Sequence, residues 1–111
     1  MPGPSLDREV ALMRVGGDVE LLREIANLFL ENYDAWLGEI KSAAARGDAL
    51  AIEHSAHGLK GSVANFGAQA AVDAALELEQ FGRSRDLSQV PSSLAALESA
   101  LAHLRPELES L

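Results

Sequence analysis

The sequence predicts an all-α fold, and three observations carry that reading. Ala and Leu dominate a hydrophobic share of 48%, and both are strong helix formers. β-branched residues are sparse, and no run alternates with the period of two that a half-buried strand requires. Apolar residues instead recur at spacings of three and four over several long stretches. A chain of 111 residues suits one domain. The expected architecture is an antiparallel up-down four-helix bundle with a short extra N-terminal helix.

Residues 1–5 are expected to form a disordered N-terminal segment or linker ahead of a bundle spanning 6–111. Leu6, Val10 and Met13 predict a short helix from about Leu6 to Arg14, capped by Ser5 or Asp7. At that length it must pack on something larger. Gly16-Gly17 breaks it. Asp18 then caps a long helix running to about Arg46, with Leu22, Ile25, Phe29, Tyr33, Trp36 and Ile40 along one face. Gly47 supplies the stop and Asp48 the next cap. A third helix is predicted from about Asp48 to Phe66, closed by Gly67. A fourth runs from about Ala68 to Gly82, where Gly82-Arg83-Ser84-Arg85-Asp86 reads as a polar loop. The last helix begins near Ser88 or Pro91. Leu94, Leu97, Leu101, Leu104, Leu108 and Leu111 form its seam, and Pro106 is placed to kink or end it.

Composition excludes several functions. A net charge of −8 and a pI near 4.7 leave no basic footprint for nucleic acid or anionic lipid. The absence of cysteine removes disulfides, thiol catalysis and cysteine zinc sites. The N-terminus lacks a basic start followed by an apolar stretch, and no apolar run approaches a membrane span, so a cytoplasmic domain is expected.

The most informative stretch is Ala56-His57-Gly58-Leu59-Lys60-Gly61-Ser62-Val63-Ala64-Asn65-Phe66-Gly67. On a helix turning about 100° per residue, Lys60 lies roughly 60° to one side of His57 and Gly61 roughly 40° to the other. Glu53, His54 and Ala64 share that sector. Ile52, Ala56, Leu59, Val63 and Phe66 form the opposite, apolar stripe. A neutral imidazole is a good nucleophile near neutral pH. Gly61 and Ala64 remove side chains that would crowd it, and Lys60 brings a cation to any phosphoryl group it receives. Two glycines each weaken the helix by roughly 1 kcal/mol relative to alanine, so the pattern asks for a reason beyond structure.

These residues resemble the signature of histidine-containing phosphotransfer (HPt) domains of bacterial multistep phosphorelays, approximately A-H-x-L-K-G-x-x-x-N-x-G. Gly17-Asp18-Val19-Glu20-Leu21-Leu22 and Leu28-Phe29-Leu30 resemble the family's second helix. Leu78-Glu79 followed by Gly82-Arg83 resembles its fourth. The resemblance covers the chain from about Leu6 onward. Gly58 departs from the larger residue commoner after the histidine.

The resemblance implies that His57 is the phospho-acceptor through Nε2, that Lys60 steadies the phosphoryl group and that Gly61 leaves room for it. Glu79 matches a family position that orients the imidazole. Asn65 and Gly67 are read as closing the helix. The implied partners are receiver domains of response regulators or a hybrid sensor histidine kinase, with Mg²⁺ supplied by the receiver and no cofactor held by this chain. No phosphate-cradling glycine loop or Mg²⁺ carboxylate set suggests a kinase, and a monomer is expected. One rival is a helical module that binds a partner through the same face without phosphorylation. Another is a metal site at Glu53, His54 and His57, which falls short because only one helix offers a histidine cluster and His103 is remote in sequence. Within the family, a free-standing relay protein or the end domain of a hybrid kinase fits better than the first domain of a chemotaxis-type kinase.

Overall fold

A computed structural model describes residues 5–111, and the segment expected to be disordered lies outside them up to residue 4. Five helices follow in order: α1 (Arg8–Arg14), α2 (Val19–Arg46), α3 (Ala49–Ala64), α4 (Gln69–Ser84) and α5 (Val90–Glu109). There is no strand among the described residues, and no helix is long and apolar enough to cross a membrane.

The first three helices begin where an aspartate allows it. Asp7, Asp18 and Asp48 each accept a hydrogen bond, 3.1 Å long, from the backbone N–H three residues on. Each cap satisfies a donor that the first helical turn leaves unpaired. Gly47 ends α2 in the left-handed region at φ 65°. α2 packs on α3 and α5, α3 on α4, and α4 on α5. Between them lie Leu22, Ile40, Ile52, Leu59, Leu78, Leu97, Leu101 and Leu104, all essentially excluded from water. Phe29 stacks on Tyr33 and meets Phe66 edge-on, with centroids 5.8 and 5.5 Å apart, and so ties α2 to the end of α3. α1 buries Ala11, packs on α2 and is tied to the end of α3 by the bond from the Asp7 N–H to the Phe66 carbonyl. Glu107 accepts hydrogen bonds from the backbone N–H groups of Ser5 and Leu6, which fastens the N-terminal edge to α5.

The boundaries differ from expectation in instructive places. α3 stops at Ala64 rather than Phe66, because Asn65 and Phe66 form a tightened turn before Gly67 at φ 60°. α4 does not stop at Gly82 but runs through Ser84 and ends at left-handed Arg85. Gly82 is buried inside the helix. A Cβ there would lie 2.7 Å from the Ala49 carbonyl oxygen and the Glu53 nitrogen, so this glycine allows α3 and α4 to approach backbone to backbone. α5 begins at Val90 with Pro91 in its first turn. Pro106 neither starts a loop nor ends the helix, which continues to Glu109. The proline occupies an exposed position close to the C-terminal end, where little helix remains to be disrupted.

Glycines within these helices divide by what surrounds them. Gly58 and Gly61 face open space, and a Cβ added to either would meet nothing within 4 Å, whereas Gly82 faces backbone. Gly82→Ala is expected to destabilise the fold by about 1–3 kcal/mol, and Gly58→Ala to stabilise it by about 0.5–1 kcal/mol. Urea unfolding of the two variants checks both signs.

Candidate functional site

The third helix turns its apolar stripe inward, as the spacing predicts: Ile52, Ala56, Leu59 and Val63 are buried. The opposite face therefore reaches solvent, and His57 stands on it with 69% of its side chain exposed. α4 packs alongside and buries Glu79, whose side chain is only 3% exposed. Its neighbours Ala75, Leu78 and Gly82 are buried on the same helix, so packing of that stripe carries the carboxylate into the α3–α4 interface.

The carboxylate is met there by two groups from α3. Oε2 pairs with His57 Nδ1. Lys60 Nζ donates to Oε1 at 2.8 Å and to Oε2 at 3.3 Å. His57 and Lys60 are three residues apart, so one helical turn presents both to the same carboxylate. With Glu79 ionised, Nδ1 is the proton-bearing nitrogen and Nε2 carries the free lone pair. Nε2 makes no hydrogen bond among the described residues.

The Lys60 ammonium holds the Glu79 carboxyl below the ordinary glutamate value of 4.5, against burial that pushes it up, with His57 adding to the lowering. Lys60 is partly covered, with 26% of its side chain exposed. Its ammonium thus lies at the edge of the site, already engaged by Glu79. Gly61 is exposed one turn beyond His57, and among the described residues no contact requires a glycine there.

His54 is exposed, and Glu53 accepts from Arg83 Nε at 3.1 Å. No group of three or more His, Asp and Glu side chains among the described residues is placed to hold a metal ion. His103 lies on α5 and bonds to the Ser99 carbonyl. Two residues at the site escape a functional reading from sequence. Arg83, which its polar neighbours mark as loop while the family resemblance sets it with the fourth helix, lies on α4 beside Glu79, and Gly82 brings that part of α4 against α3. The Glu79-to-Arg83 spacing of four is the signal that places both on one helical face.

Comparison with known proteins agrees with this geometry. The Hpt domain model matches residues 24–107, and the chain belongs to that family. Hpt domains are histidine phosphotransfer carriers of phosphorelays rather than kinases. The fold is similar to the crystal structure of histidine-containing phosphotransfer protein B (HptB) from Pseudomonas aeruginosa PAO1. The TM-score is 0.89 at 26% identity, over 98% of this chain and 95% of that one. None of the curated proteins compared with the chain matches it.

Because the folded-state value of Glu79 is depressed, its ionised form adds stability above the unfolded value of about 4.5. That contribution is lost as pH falls through the lower, folded value. The stability advantage of the native protein over Glu79→Gln is therefore expected to shrink as pH falls from neutral to below about 4.5. Denaturant titrations of both proteins across that range measure it.

Proposed function

We propose that His57 accepts a phosphoryl group from a receiver-domain aspartate and passes it to the aspartate of another response regulator. The observation that carries this reading is the buried Glu79 carboxylate paired with Nδ1 of an otherwise exposed imidazole. In the transfer, the Nε2 lone pair forms a bond to phosphorus while the bond from phosphorus to the donor carboxylate oxygen breaks. The carboxylate leaves with the electron pair, and the Nδ1 proton stays on the ring. The ring gains positive charge, which Glu79 offsets from the other side, as the aspartate of a serine-protease triad does for its histidine. Lys60 offsets the negative charge of the phosphoryl group. Gly61 keeps the approach to Nε2 clear. The receiver supplies Mg²⁺, and this chain's residues bind and orient the imidazole.

The docking face for the receiver is the exposed side of α2 and α3 next to His57. Leu28, Trp36, Ser62 and Asn65 border one shallow depression there, and His54, Gly58 and Ser62 border the next. Leu28 is 59% exposed, and apolar area of that kind favours association when a partner covers it. The ring of packed helices supports an antiparallel up-down bundle with α1 appended. A cytoplasmic monomer is the setting this reading assigns.

His57→Gln is expected to abolish phosphate acceptance with the fold intact, and Lys60→Ala to slow it about tenfold. Gly61→Leu is expected to block transfer from a receiver while leaving the isolated fold at least as stable as native. Intact-mass detection of an acid-labile adduct, after incubation with a phosphorylated receiver, reads all three. Normal transfer by Gly61→Leu contradicts the open-face requirement. Receiver binding without an adduct on native protein favours the binding-only module.

A further inference from the structure

Arg83 is the second cation of the site, and its position is specific. One edge of its guanidinium faces two carboxylates: Nε lies 3.1 Å from Glu53 Oε2 and Nη2 lies 3.9 Å from Glu79 Oε1. Oε1 is the same oxygen that Lys60 holds at 2.8 Å, while Oε2 is occupied by His57. Glu53 comes from α3, and the close contact at Gly82 sets its backbone against α4 one residue before Arg83. The arginine is thereby held within about 1 Å of hydrogen-bonding distance from Glu79.

A phosphoryl group on Nε2 lies across the ring from Nδ1, so Lys60 moving toward it draws away from Oε1. Glu79 is buried, and a buried carboxylate that loses its cation is strongly disfavoured. We propose that Arg83 is a positioning residue that takes over Oε1 of Glu79 when Lys60 turns to the phosphoryl group, so that the site exchanges one cation for another. Glu53 keeps Arg83 in place through Nε while Nη2 makes the short move. Arginine suits this task because its planar fork can hold two carboxylates at once, which a lysine ammonium does with less directional control. The proposal rests on the reading of His57 as phospho-acceptor.

The test is side-chain NMR of the Arg83 guanidinium in the full chain. Two samples remove Lys60 from Glu79: native protein phosphorylated by phosphoramidate, and unphosphorylated Lys60→Ala. In the first, a phosphorus–nitrogen bond to the donor breaks, ammonia leaves and the adduct is confirmed by mass. Expected in both is a shift of the Arg83 Nη signals and severalfold slower proton exchange than in unphosphorylated native protein. Glu79→Gln, which has no charge to hold, is expected to show neither. Arg83→Gln is expected to slow adduct formation by roughly threefold, the size of a partly exposed ion pair. Arg83 signals that stay unchanged in Lys60→Ala, or in protein carrying a confirmed adduct, overturn the exchange, as does an unaltered rate in Arg83→Gln. Failure of native protein to form any adduct overturns the phospho-acceptor reading instead, and the Lys60→Ala sample still decides whether Arg83 replaces Lys60.

Discussion

Glu79 keeps a carboxylate inside a helix–helix interface, and the surrounding side chains make that tolerable. Burial alone would push it toward the neutral acid. Lys60 reverses that tendency by donating to both oxygens, and His57 pairs with Oε2. The result is one buried negative group that holds an exposed imidazole through Nδ1 and a cation beside it. A neutral glutamine would bind neither Lys60 nor the Nδ1–H of His57 as strongly as the carboxylate does.

The scaffold serves this arrangement by fixing α3 against α4. The α3 stripe of Ile52, Ala56, Leu59 and Val63 sets which face of that helix is wet, and the α4 stripe ending at Gly82 sets how deep Glu79 sits. Gly82 permits close backbone approach, while Gly58 and Gly61 leave the outer surface bare. Glycine therefore permits close packing on one side of the site and leaves open surface on the other. The helix weakening at Gly58 and Gly61 is offset by no contact that a side chain there would disturb among the described residues.

Much of this is legible in the sequence because it follows from local rules. Aspartate caps at Asp7, Asp18 and Asp48, the left-handed stop at Gly47 and the inward stripe of α3 all depend on near neighbours. The one-turn spacing of His57 and Lys60 places them together for the same reason. Gly82 is illegible because a glycine before polar residues reads as a loop, and only the packed partner helix reveals that it has no room for a side chain. Arg83, the next residue, is obscured by the same polar pattern, and only the resemblance of Gly82-Arg83 to the family's fourth helix points to its place on α4. The engagement of Lys60 by Glu79 is equally nonlocal, since it depends on the rotation of α4 against α3. Pro106 is ambiguous in sequence because its effect depends on how much helix lies beyond it.

The orientation of His57 by Glu79 is tested most directly by the nitrogen-15 shifts of the His57 ring in unphosphorylated protein at mildly alkaline pH. A protonated Nδ1 and a bare Nε2 are expected, with the Nδ1 proton signal lost or displaced in Glu79→Gln. A ring protonated at Nε2, or one whose shifts ignore Glu79→Gln, contradicts the central role given to the buried carboxylate.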